Sequence, residues 1–158
     1  MNFLEDIRIG DRRVIGQHTF TAEEIKRFAT AYDPQRFHVD EAEAEKSQFG
    51  GLCASGWQTA AVCMRLLIDE RKRRVDEFTA RGEKIAQWGP SPGFRDLKWL
   101  KPVYVGDTIT FESEPIETRE SRSRPGWGLV TMRHYGRNQK GEPVYEVTVS
   151  AFVQKRPD

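Results

Sequence analysis

Asp33 and His38 stand five positions apart, just ahead of a glycine-rich turn that opens into a helix of small residues, within DPQRFHVDEAEAEKSQFGGLCASGWQTAAVCM. A carboxylate and an imidazole can divide proton-transfer work between them. The first N–H groups of a helix have no intrahelical partner and are available to a developing negative charge. One short stretch therefore supplies an acid–base pair and, at a helix N-terminus, donors for an oxyanion.

The elements around the pair must hold it in place. Residues 9–20 read as a short strand after an irregular lead-in, with a turn at Gly10–Asp11. Thr21 and Glu24 have the spacing of a capping box, and Phe20 and Ile25 that of a hydrophobic staple. Ile25, Phe28, Ala29 and Tyr32 recur at helical period, so one face of that helix is buried. Pro34 disfavours helical geometry before it, ending the helix at Tyr32–Asp33. Asp33 is thereby placed at the negative end of a helix dipole, which is expected to raise its pKa. A second short helix is expected over Asp40–Lys46, with Asp40 as its N-cap rather than a catalytic group. Phe49-Gly50-Gly51 ends it.

The longest helix is expected from about Ser55 to Glu77, with Trp57, Ala60, Ala61, Met64, Leu67 and Ile68 on its apolar face. Asp69-Glu70-Arg71-Lys72-Arg73-Arg74 reads as its solvated end, where basic residues suit the dipole; the alternative is a landing point for ligand phosphates. Residues 80–93 are loop, in which Trp88 and Pro90–Pro92 offer a possible pocket wall. Strands follow at Arg95–Lys101, Thr108–Thr118, Trp127–Asn138 and Tyr145–Val153, the last two joined by an Asn138–Gly141 hairpin loop. A strand, a helical stretch and four more strands make an α+β domain over 1–158. Its economical packing is a curved antiparallel sheet around the long helix.

Other chemistries lack their residues. Net charge is +1, so no global field draws the chain to nucleic acid or to a membrane surface. No run of about 18 apolar residues reads as a membrane span, and the N-terminus has acids where a signal peptide needs an apolar core. A cytoplasmic location is the resulting expectation. If the segment between them is helical, Cys53 and Cys63 sit roughly 15 Å apart along the axis, too far to bridge, and they read as buried thiols. No metal-ligand spacing, dinucleotide fingerprint, Walker loop or nucleophile elbow is present. His18 and His134 fall on strand patterns away from the pair and read as structural or exposed.

FTAEEIKRFATAYDPQRFHVD, FGGLCASGWQTAA and WLKPVYVGDT, with GWGLVTMRHYGRNQKGEPVYEVTVSAFV to close, together resemble the MaoC-like dehydratases, the (R)-specific enoyl-CoA hydratase group. The resemblance runs from about residue 5 to residue 153 in the right order. It implies a hotdog fold, with a helical overhang carrying the motif. It also implies Asp33 and His38 as the catalytic dyad and the Gly56 N–H as the oxyanion donor, with Gln35, Phe49, Gly51, Ser55 and Trp57 about the substrate. The implied reaction is reversible hydration of a trans-2-enoyl-CoA, equivalently dehydration of an (R)-3-hydroxyacyl-CoA. The thioester is substrate, and no cofactor is expected. A homodimer or dimer-based assembly, its sheets joined edge to edge, is implied as well. Where the commonest family motif reads D-x-N-P-x-H, this chain has Gln35 and Arg36; where some members carry a helix Ser, it has Met64. These departures bear on substrate choice. A hotdog thioesterase and a non-catalytic acyl-thioester binder are the competing readings. The first lacks an acid in Trp57–Leu67, and the second has no use for an acid–base pair.

Overall fold

The computed structural model describes residues 3–157. A 3-10 turn (Leu4–Asp6) leads into β1 (Arg13–Thr19), then α1 (Ala22–Tyr32), α2 (Arg36–Val39), α3 (Glu41–Glu45) and α4 (Gly56–Ala80). The strands β2 (Gly93–Trp99), β3 (Thr108–Glu120), β4 (Trp127–Arg137) and β5 (Pro143–Gln154) complete the chain. All strands join one antiparallel sheet in the order β1-β3-β4-β5-β2. The sheet curves around α4 with α1–α3 as an overhang, the expected α+β hotdog. No helix among the described residues is long and apolar enough to cross a membrane.

Period-two patterning turns one side of β3 inward, whereas β4 is buried at consecutive positions from Gly128 to Met132 and β2 stays largely exposed. On β3, Ile109, Phe111 and Ser113 are buried at alternate positions. Pro115 would break a regular ladder because it has no N–H to donate. It stands where the register of β3 against β4 shifts, which absorbs it. The hairpin loop before β5 closes with Gly141 N–H donating to Asn138 O at 2.9 Å, Gly141 taking a φ of +77°. Two apolar cores result. One holds Ile15, Phe20, Ile25, Phe111 and Val147 under the start of α4. The other holds Phe3, Leu4, Val130 and Val153 at the far end of the sheet.

Helix α1 starts as its cap predicts. Thr21 Oγ1 accepts from Glu24 N at 3.3 Å, and the staple residues Phe20 and Ile25 are fully buried. The reciprocal half of the capping box is missing, because the Glu24 carboxylate is taken by His18 Nε2 at 2.5 Å. Asp40 caps α3, its Oδ1 accepting from Glu43 N at 2.9 Å. The one-turn helix α2, which carries His38, was not among the expected elements.

Helix α4 corrects two expectations. Of its expected apolar face, Ala60 and Leu67 pack against the core, but Trp57 and Met64 are about half exposed and Ala61 is exposed. The sheet instead receives Thr59, Cys63 and Glu70, a stripe rotated around the helix from the apolar one. The acidic–basic run after Ile68 is not simply solvated: Glu70 is buried and Arg71 and Arg74 are half-buried. Both cysteines are buried and unbridged, with burial pushing the Cys53 thiol up to about 11 and Cys63 to about 12.

Candidate active site

Asp33 is the last residue of the α1 turn, its N–H donating to Ala29 O at 2.8 Å. The chain then reverses through Pro34 and Gln35 into α2, which swings His38 back toward it. His38 Nε2 lies 3.5 Å from Asp33 Oδ2, with the imidazole almost wholly buried. The other ring nitrogen, Nδ1, is 2.7 Å from the carbonyl oxygen of Cys53. A carbonyl only accepts, so Nδ1 carries a proton and Nε2 is the nitrogen turned toward Asp33. Phe37 packs edge-on against His38 and Phe49, fixing the ring plane.

The segment supplying that carbonyl is itself tied down. Ala54 N–H donates to Val103 O at 2.8 Å, and Tyr104 Oη to Phe49 O at 2.8 Å. Ser55 follows as the N-cap of α4, its Oγ accepting from Trp57 N at 3.3 Å. The same hydroxyl donates to Asp33 Oδ2 at 2.7 Å, so the cap joins the helix to the dyad. The Gln35 side-chain amide donates to Asp33 Oδ1 at 2.8 Å. Both carboxylate oxygens are thus engaged.

These donors reverse the expected shift of Asp33. Burial pulls its pKa up, but the hydrogen bonds from Ser55 and Gln35 and the field of His38 together hold it below the usual carboxylate range. The sequence places Asp33 at the negative end of α1; the fold adds Ser55 from the positive end of α4 and Gln35 from the turn before α2. The group is a carboxylate at neutral pH.

Gly56 lies directly beneath the Trp99 indole from β2, and a Cβ at residue 56 would fall inside that ring's van der Waals envelope. Its N–H takes no hydrogen bond among the described residues. Trp57 meets Trp99 edge to face with ring centres 5.2 Å apart. The pocket so walled has a volume of about 420 Å³. The structure brings Asp33, Gln35, His38, Phe49, Ser55, Gly56 and Trp57 to it, and leaves Gly51 outside. Gly51 belongs to the turn behind, its α-carbon facing the ring of Tyr104. The sequence reading missed Phe37, Trp99, Lys101 and Val103. Trp88 is not here; it pairs with Val153 beside a separate cavity. No group of three or more metal-ligating side chains gathers among the described residues.

The arrangement can do specific work. A water seated between an ionised Asp33 and the Nε2 lone pair is oriented by one and deprotonated by the other. A carbonyl oxygen against the Gly56 N–H is polarised as it gains charge.

Comparison with known proteins adds an independent line. The family model described as MaoC like domain matches residues 8–136. An uncharacterised protein of Bacillus subtilis, YdeM, is 30% identical over 152 residues, covering 96% of this chain and 99% of that protein. The crystal structure of a MaoC-like dehydratase from Rhodospirillum rubrum superposes with a TM-score of 0.81 at 36% identity, over the whole of both chains. A mesaconyl-CoA hydratase of Cereibacter sphaeroides is 41% identical over 64 residues, which is 40% of this chain and 18% of that enzyme.

Proposed function

The chain belongs to the MaoC-like dehydratase family, and on that premise we propose that it reversibly hydrates a trans-2-enoyl-CoA, or dehydrates the matching (R)-3-hydroxyacyl-CoA. The observation that carries this reading is the pairing of an ionised Asp33 with a His38 whose tautomer is fixed by Cys53 O, beside an unpartnered helix N–H. The likeness to a hydratase of an unsaturated CoA thioester supports the substrate class.

In the hydration direction, water sits between Asp33 Oδ2 and His38 Nε2. His38 Nε2 accepts a water proton as the water oxygen bonds to C3. The C2–C3 π pair moves toward the thioester, and its oxygen gains enolate charge that the Gly56 N–H stabilises. Asp33 holds the transient imidazolium by its charge and keeps the nascent hydroxyl oriented. The proton on Nε2 then passes to C2, the enolate collapses to the thioester, and the neutral ring is restored. The thioester carbonyl is the electron sink, so the reaction as proposed calls for no further cofactor. Dehydration runs the same steps backwards.

Trp57, Trp99 and Leu100 line the pocket yet are each roughly half exposed in a single chain. Covering them by a second copy of the chain across the open edge of β2 supports a homodimer.

The test is the loss of enoyl-thioester absorbance on mixing the protein with crotonyl-CoA and longer or branched enoyl-CoAs. Wild type consumes the signal and His38→Ala does so roughly 10²–10⁴-fold more slowly. Equal rates in the two proteins, or release of free thiol in place of hydration, would overturn the reading.

A further inference from the structure

Between the two apolar cores, beneath the distal half of α4, the concave face of the sheet is polar. Arg13, Ser113 and His134 lie opposite one another on β1, β3 and β4. Ser113 is fully buried and His134 is 4% exposed. Over this row α4 lowers Glu70, Arg71 and Arg74. A core that wraps a helix has no packing need for such groups, and taking charges out of water is costly unless they are paired.

The pairing is incomplete. Glu70 Oε1 stands 3.3 Å from Arg13 Nε and 3.7 Å from an Arg74 nitrogen, so one carboxylate serves two guanidiniums. Arg71 stacks on the Trp88 ring at 4.6 Å from its centre and has no carboxylate of its own within ion-pair distance among the described residues. Arg8 and Asp11 also line the cavity, and the charge of Asp11 acts on Arg13. Arg13 Nε, Ser113 Oγ and His134 Nδ1 make no hydrogen bond among the described residues. His134 is pushed down to about 4, by burial first and then by Arg13 and Arg71, so it stays neutral and adds no charge. Four guanidiniums thus line the cavity against two carboxylates, Glu70 and Asp11.

The geometry points to a second binding site here, for a small carboxylate with a short hydrocarbon body. Its head would lie among Arg13, Arg71 and Arg74, and its body against Leu67, Met132 and Val149. The cavity's volume is about 80 Å³, room for roughly five to eight water-sized groups at about 10–15 Å³ each. It shares no lining residue with the dyad's pocket, so its ligand is a free acid rather than the far end of a bound thioester.

Titration calorimetry of the full chain at low ionic strength, with butyrate, butyramide and inorganic phosphate, tests this. Butyrate binds once per chain and butyramide, of the same size but neutral, does not. Arg71→Gln weakens butyrate at least tenfold, and His38→Ala binds it as wild type does. Butyramide binding equal to butyrate, phosphate preferred over butyrate, an unchanged Arg71→Gln or a silent His38→Ala would each overturn the assignment. The unaltered protein gives a second readout that does not depend on a variant folding. Saturating butyrate places its carboxylate beside His134, so the ring's NMR signals shift at neutral pH, where the ligand is ionised. Ring signals that do not move refute the site.

Discussion

Ser55 is shared between two tasks: it caps α4 through Trp57 N and donates to Asp33 Oδ2. Removing its hydroxyl therefore acts on stability and on chemistry separately. Ser55→Ala is expected to cost about 1 kcal/mol as a lost cap and to raise the Asp33 pKa, since a donor that favours the charged form is gone. Carbon-detected NMR of the Asp33 carboxyl reads the second effect directly; an unmoved titration would mean that the hydroxyl does not hold the charge. The linkage has a definite sign. Asp33 is held below its ordinary value of 3.8 in the folded chain. Its contribution to stability is present above that unfolded value and is lost as pH falls through the folded one. Urea midpoints measured from pH 6 downward should fall more steeply below pH 3.8 for wild type than for Asp33→Asn. Parallel curves would remove Asp33 from the balance. At neutral pH the same Asp33→Asn protein, folded, should turn over enoyl-CoA roughly 10²–10⁴-fold more slowly.

At the scale of elements, the site depends on how closely β2 approaches the start of α4. The approach is set by a bulge: the β2–β5 register shifts between Arg95 and Lys98, Asp96 takes a φ of 55°, and Trp99 comes down on Gly56. Gly56→Ala places a methyl against the indole, which must move. Overpacking of this kind costs about 1–3 kcal/mol. Activity should fall further than the drop in melting temperature accounts for, because the displaced N–H is the proposed oxyanion donor. A variant with unchanged kcat would separate that N–H from the chemistry. The dyad was legible because residue type carries acid–base chemistry, and β5 because its period two is clean, while β3 alternates only weakly in sequence. Helix α4 was legible in extent but not in rotation. Trp57, Ala61 and Met64 outweigh Thr59 and Cys63 on any hydrophobicity count, yet the sheet takes the smaller residues, which let it close on the helix. The Cys53 carbonyl that fixes the His38 tautomer leaves no trace in residue type, since every residue has one. Trp99 reaches the site only because β2 pairs with β5 at the sheet edge, a placement fixed by topology. The inward turn of Glu70 and Arg71 was hidden by their charge, which in sequence reads as solvent exposure.

At the scale of the whole molecule, β1 and β2 are the two edges of the sheet, and apolar exposure gathers at β2. Phe94 on that strand is 60% exposed, and Trp99, Leu100 just beyond it and Trp57, whose ring meets Trp99, are all near half. An open edge flanked by aromatic rings invites pairing with another strand unless something covers it. A two-fold contact across β2 would cover these rings in both copies and finish the pocket walls at once, which ties assembly to catalysis. Light scattering should then return twice the chain mass of 18.2 kDa. Phe94 offers the cleanest test, being exposed and outside the lining of the dyad's pocket. A two-fold axis counts each substitution twice, and losing a buried aromatic costs about 1.5–3 kcal/mol per copy. Phe94→Lys should therefore weaken the dimer roughly 10²–10⁴-fold or more, with turnover per chain falling as the protein is diluted through its new dissociation range. Two results would break the link: a wild-type chain that scatters as a monomer, or a Phe94→Lys monomer that retains full turnover. In the second case the pocket of one chain would be sufficient, and the exposed rings at β2 would serve some other contact.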